Sequence, residues 1–172
     1  MAETLVTIKK RSSVRSFKPE PVAKEIVDQI VEAGTCAATG MNRQSPIILV
    51  IDDPQVRDEL SRINAAAMGA ENDPFYGAPN VIVVLADRSV RTYLYDGTLV
   101  MGNMMLAAED IGVGACWIHR AKEEFESEYG KALLAKAGIE GDYEGIANLI
   151  LGYPEGEKPA PKKHKDNYVY HI

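Results

Sequence analysis

The stretch from Arg91 to Ile111 constrains this chain most. Leu99, Val100, Met101, Met104, Met105, Leu106 and Ile111 leave it almost no polar stripe. A helix that is apolar on most faces needs cover on most faces. That cover is either the core of the same chain or a second copy. The fold must therefore wrap helix 91–111, and a dimer is the first partner to expect.

Short apolar runs supply the wrapping. Pro46–Ile51, Val81–Ala86, Val113–Ile118 and Ile146–Leu151 read as four strands. They are bounded by Asp52-Asp53-Pro54, by the Pro/Gly loop Glu71–Pro79 and by Gly152-Tyr153-Pro154. Helices are expected over 2–9, 21–33, 55–68 and 123–137. In the second, Ile26, Val27, Ile30 and Val31 recur at helical spacing, Pro21 suits the first turn and Gly34 is placed to end it. Thr35–Gln44 reads as a loop, and the Pro- and Lys-rich tail 155–172 cannot bury itself alone. Strands and helices alternate without repeats, which predicts a mixed α/β or α+β chain.

With 172 residues, the chain suits one domain that buries about 70% of its unfolded surface. A net charge of −6 argues against a general nucleic-acid binder, because phosphate backbones demand a basic face. No run of 18 apolar residues spans a membrane, and Met1–Lys10 lacks the apolar core of a secretory signal, so a cytoplasmic protein is expected. Cys36 and Cys116 form no CxxC, and His119, His164 and His171 have no partners at zinc spacing. Two free thiols and no metal are the expectation.

Lys10-Arg11-Ser12-Ser13-Val14-Arg15-Ser16-Phe17 sets two guanidiniums four residues apart among three hydroxyls. Arginine's planar fork suits a phosphate, and serine hydroxyls or backbone amides complete an anion's oxygen shell. A solvated turn between two helices is the other reading of these eight residues. Gly112-Val113-Gly114 is no dinucleotide fingerprint: it follows a helix, and Trp117 stands where the third glycine belongs. There is no GxxxxGK[ST] loop and no GxSxG elbow. Lys158, Lys162, Lys163 and Lys165 make the tail locally basic, as a solvated terminus or as part of a ligand site.

In order, these segments resemble the FMN-dependent nitroreductases in their short-chain form. Arg11–Phe17 is similar to that family's Arg-x-Ser-x-Arg/Lys-x-Phe/Tyr opening, and Ala38-Thr39-Gly40-Met41-Asn42-Arg43-Gln44 to its Pro-Ser-x-x-Asn-x-Gln loop. Gly77-Ala78-Pro79, the run from Asn103 through Gly112–Ile118, Leu151-Gly152-Tyr153-Pro154 and the lysine-rich tail follow in the family's order.

The resemblance implies an α+β fold: a central, mostly antiparallel sheet of four to five strands flanked by helices. It implies one FMN-binding domain over 1–172, with 155–172 as a domain-swapped arm reaching the partner in a homodimer. Carried over by position, Arg11 and Ser13 would hold the FMN phosphate with Ser12 alongside, and Arg15 would lie near N1 and O2 of the ring. Ala38, Thr39 and Gly40 would come from the other subunit, with Asn42 bracing their loop and Asn64 near the pyrimidine edge. Trp117, Ile118 and His119 would pass along the far side of the ring, where a backbone amide can donate to N5; the partner's tail would add Lys162 and His164.

The implied activity is NAD(P)H-dependent reduction of nitroaromatics, quinones or similar acceptors, by ping-pong hydride transfer and without a catalytic side chain. A specialised flavoenzyme such as a dehalogenase, or an FMN store or sensor, fits the same fold. Three positions depart from the family. Ala38 replaces a proline, Ser45-Pro46 replaces Pro-Trp, and His164 replaces an arginine.

Overall fold

The computed structural model describes residues 2–161 and 163–172. In chain order the elements are α1 (Glu3–Lys10), α2 (Lys24–Thr35), β1 (Pro46–Ile51), α3 (Pro54–Met68), β2 (Asn80–Asp87), α4 (Tyr93–Asp110), β3 (Gly114–Ile118), α5 (Ala121–Glu126), α6 (Glu128–Lys136) and β4 (Tyr143–Gly152). The four strands form one antiparallel sheet in the order β1-β2-β4-β3. The arrangement is α+β, as expected.

Strand alternation sorts the core into two layers. Ile82, Val84 and Ala86 of β2 pack with Ala147, Leu149 and Leu151 of β4 against α2 and α4. Val81, Val83 and Leu85 point the other way and join Ile150, Cys116, Leu60 of α3 and Phe125 of α5. The central strands are thus buried on both faces, which is why they read as continuous apolar runs.

Two glycines set close approaches. A methyl at Gly145 of β4 would overlap the Ala121 carbonyl, so α5 lies directly on the sheet. Gly34, expected to stop a helix, instead lies inside α2 against Met104, where a Cβ would come within 2.8 Å of Cγ. The expected helix 123–137 is broken in two at Ser127 (ψ 160°). The Ser127 hydroxyl donates to the Glu124 carbonyl and accepts the Gly130 N–H, so a cap interrupts what periodicity alone reads as continuous.

Helix α4 answers the opening constraint in part. Gly97, Val100, Met101, Met104 and Ala108 are buried in this chain. Its other face is bare: Leu94 is 46% exposed, Tyr95 74% and Leu99 51%. Beyond Pro154 the tail forms no helix or strand among the described residues.

Gly145→Ala should lose about 2 kcal/mol of stability in urea unfolding, because neither the β4 nor the Ala121 backbone can move away freely. An unchanged midpoint would contradict the α5–β4 contact.

Candidate functional site

The Arg11–Phe17 strip extends the sheet beyond β3. Ser13 bridges Ala115 in parallel, and the Val14 N–H donates to the Ala115 carbonyl at 3.0 Å. Val14 and Phe17 anchor the strip in the core, Ser13 and Arg11 are half-buried, and Arg15 is exposed. Ser12 is buried and its Oγ has no partner among the described residues. Although the chain carries a net charge of −6, neither Arg11 nor Arg15 is ion-paired among the described residues. The strip thus carries two guanidiniums without an ion pair and one orphaned hydroxyl, groups whose chemistry suits an oxyanion.

Arg15 lies over the Tyr76 ring, 5.9 Å from its centroid. That ring is carried by a loop tied to Asp73, whose carboxylate accepts from Ser61 Oγ, Arg57 and the Phe75 and Gly77 N–H groups. Burial raises the Asp73 pKa, but these donors outweigh it and hold the carboxyl below its ordinary value.

Strand β3, bridged to the strip at Ala115, continues through Trp117 and Ile118 to His119. Trp117 is half-buried, Ile118 buried and His119 exposed. The chain then turns through Arg120 in the left-handed region (φ 77°), a costly conformation for arginine. Behind this turn lies a buried polar cluster. Asn64 Nδ2 of α3 donates to the His119 carbonyl at 2.7 Å and to Glu124 Oε1 of α5. Asn148 of β4, the ladder partner of Ile118, donates to the same Oε1 at 2.8 Å. Asn64 is 0% exposed, so it offers no surface to a ligand and supports the turn from within instead of reaching a pyrimidine edge. Desolvation pushes Glu124 up to about 8, against the smaller opposing pull of the two amides, and Glu123 adds to the rise. It is a neutral acid at neutral pH.

The 38–45 loop is held by Asp96 of α4. This buried carboxylate accepts from the Gly40 N–H at 2.9 Å, Ser45 Oγ at 2.8 Å and Thr92 Oγ1 at 3.0 Å. Burial alone would raise its pKa; the three donors win and keep it below the ordinary carboxylate range. Met41, Asn42 and Gln44 all have φ between 50° and 54°, and a methyl at Gly40 would run into Thr92. Non-glycine residues in this region are strained, and such strain persists only where surroundings over-determine it. Ala38 and Asn42 are exposed, Thr39 and Gly40 half-buried.

One chain does not join the two halves. The 38–45 loop feeds β1 on one edge of the sheet, and the Arg11–Phe17 strip lies outside β3 on the other. Four strand spacings separate these edges, roughly 19 Å. Arg11, Ser12, Ser13 and Arg15 therefore lie on the β3 side of the sheet, the side that also carries Trp117 and Ile118, while Ala38, Thr39, Gly40 and Asn42 lie toward the β1 edge. His164 is exposed in the tail, with its ring 6.0 Å from that of Tyr168, and Lys162 lies outside the described residues.

Sequence reasoning missed Asp96, Glu124 and Asn148. For two of them there was a signal. Asp96 interrupts the apolar helix, and Asn148 interrupts an otherwise apolar strand buried on both faces. A polar residue in such a place must have a partner.

Residues 8–75 and 63–153 match the family model described as the Nitroreductase family. The chain belongs to that family. It is 28% identical over 182 residues to an NADPH-dependent oxidoreductase of Staphylococcus saprophyticus, which covers 95% of this chain and 70% of the relative. Among solved structures it resembles a nitroreductase with bound FMN from Bacteroides fragilis, with a TM-score of 0.90 and 24% identity over all of both chains. A second nitroreductase with bound FMN, from Desulfitobacterium hafniense, gives 0.89 and 25% identity over 100% of this chain and 99% of that one.

Two of the buried carboxyls, Asp96 and Glu124, are held in opposite states, and pH separates them. Glu124 keeps its proton in the folded chain up to about pH 8 but loses it near 4.5 when unfolded. Stability therefore falls as pH rises between those values, by an amount of order 4 kcal/mol. The E124Q variant should be free of this loss, so urea unfolding at about pH 5 and about pH 8.5 should show it gaining on wild type at the higher value. Asp96→Asn should cost about 2 kcal/mol and speed hydrogen exchange at the Gly40 amide, since an amide cannot accept all three donors. A Gly40 amide as protected as in wild type would exclude the Asp96 anchor.

Proposed function

We propose that this chain is an FMN-dependent oxidoreductase that uses NAD(P)H to reduce nitroaromatics, quinones or similar electron-poor acceptors. The observation that carries the reading is a strip bridged to β3 that holds Arg11 and Arg15 without ion pairs among the described residues, together with the orphaned Ser12 hydroxyl, in a chain of this family. The donor set fits the cofactor. Arg11 and Ser13 suit the phosphate, and the buried Ser12 Oγ lacks the partner that a phosphate or ribityl oxygen would provide. Arg15, with no carboxylate of its own, would place a cation at the N1–O2 edge, where negative charge builds on reduction. Trp117, Ile118 and His119 would line the far side, with backbone amides rather than side chains as donors. The bound flavin supplies the hydride-accepting and hydride-donating chemistry; the protein binds, orients and tunes it. One pocket serving nicotinamide and acceptor in turn gives ping-pong kinetics.

The same reading makes the chain one domain with 155–172 as an arm in a homodimer. Three features support this. The bare face of α4 carries Leu94, Tyr95 and Leu99, and the arm ends in exposed Tyr168, Val169, Tyr170 and Ile172. The loop with Ala38, Thr39, Gly40 and Asn42 lies on the sheet edge away from Arg11, so a second protomer would have to bring it to the flavin. Lys162 and His164 of the partner's arm would close on the phosphate.

The purified protein should show flavin absorbance that bleaches when NADH or NADPH is added without oxygen. Steady-state plots should be parallel, and light scattering at micromolar concentration should give twice the chain mass. Arg11→Ala should weaken FMN binding at least tenfold. A colourless protein that takes up no added FMN would overturn the assignment; a yellow protein that does not bleach would favour a store or sensor.

A further inference from the structure

We propose that Glu124 is a positioning residue for hydride transfer: through Asn64 it fixes the backbone turn at His119 that faces the flavin ring. This rests on the flavin reading above, because it gives a role to residues that the flavin does not touch.

The geometry is specific. An Asn carboxamide has two N–H donors, and Asn64 uses both, one on the His119 carbonyl and one on Glu124 Oε1. Flipping the amide would face its oxygen to the His119 carbonyl, so the orientation is determined. Glu124 is in turn located from two sides. The Asn148 amide reaches it from the strand paired with Ile118, and the Gly145–Ala121 contact seats α5 against that strand. The Glu124 N–H donates to the Arg120 carbonyl at 3.1 Å, so the same residue closes the turn through its main chain. Four segments (α3, α5, β4 and the end of β3) therefore meet at one acid, and the result is a strained Arg120 and a fixed His119 peptide.

The cluster is poorly explained as a stability device. Glu124 Oε2, Asn64 Oδ1 and Asn148 Oδ1 are all buried without partners. Such groups cost stability, and an apolar cluster of the same volume would avoid that cost. Strain together with unsatisfied polar groups, directly behind the His119 peptide at the end of β3, is the pattern of a pre-organised site. A neutral carboxylic acid and a carboxamide offer one acceptor and one donor group in the same shape, so E124Q can keep the arrangement, whereas E124L removes the acceptor that Asn64 needs.

The test compares wild type, E124Q, E124L and Asn64→Ser as purified, FMN-loaded proteins. Hydrogen exchange of the 117–120 segment is measured on each apoprotein as well. E124L and Asn64→Ser should lower the rate of flavin reduction by NAD(P)H tenfold or more, shift the flavin reduction potential, and raise exchange at 117–120. FMN affinity should stay within threefold of wild type, because the phosphate strip is untouched. E124Q should restore all three readouts to within threefold.

A folded, FMN-loaded E124L or Asn64→Ser protein with wild-type reduction rate and potential would overturn the proposal. So would equal losses in E124Q and E124L, which would mark a purely structural cluster. Asn64→Ser keeps a small polar side chain and remains informative if E124L does not fold. Arg11→Ala with unchanged FMN affinity would instead point to failure of the flavin reading itself.

Discussion

The pairing of β2 with β4 is the constraint on which the rest depends. Their ladder runs from Asn80–Leu151 to Asp87–Tyr143, and helices cover both faces, so apolar side chains must alternate into two cores. The bulge between Val84 and Leu85 lets β4 carry Ile146 as an extra residue next to Gly145, where α5 docks. From there the positions of β3, the Arg11–Phe17 strip and the Glu124 cluster follow. On the other face, Gly97 of α4 lies against Ile146, which sets the height of α4 and, through Asp96, of the 38–45 loop. Both halves of the candidate site are thus referred to one strand pair.

Asp96 and Glu124 show how the same residue class is set to opposite charge states. Asp96 meets three donors and stays ionised; Glu124 meets two amides and remains protonated. The difference lies in donor count and in backbone involvement, since an N–H from Gly40 points at Asp96 while no backbone donor among the described residues reaches the Glu124 carboxyl. A charge is kept where it can hold a strained loop, and avoided where it would lie behind a peptide facing the ligand strip.

The fold was legible where periodicity is dense. Apolar runs marked all four strands, and the Asp53-Pro54 start of α3 follows directly from capping chemistry, with the Asp53 side chain accepting the Gln55 N–H. Gly34 was misread because a glycine that permits close helix packing looks, in sequence, like one that ends a helix. Ser127 was overlooked because its cap interrupts a helix without disturbing the apolar spacing. Arg11, Ser12, Ser13 and Arg15 stand out in sequence because guanidiniums and hydroxyls cluster there, and the structure leaves both guanidiniums without an ion pair among the described residues. Asn64 was given a ligand role that its burial denies. Glu124 is hidden in sequence between Glu123 and Glu126, two exposed glutamates that differ from it only by lying on other faces of the helix.

The placement of the strip and the 38–45 loop on opposite sheet edges has a thermodynamic consequence. In the proposed dimer, neither protomer owns a site, so cofactor binding and association become linked equilibria. Whatever raises flavin occupancy tightens the dimer by the same factor, and dilution that separates the protomers opens both sites at once. A hybrid of two differently damaged chains, one altered in the strip and the other in the loop, would contain one wholly intact site and one doubly broken one. Loss of function in such a protein would be counted per interface half, not per chain.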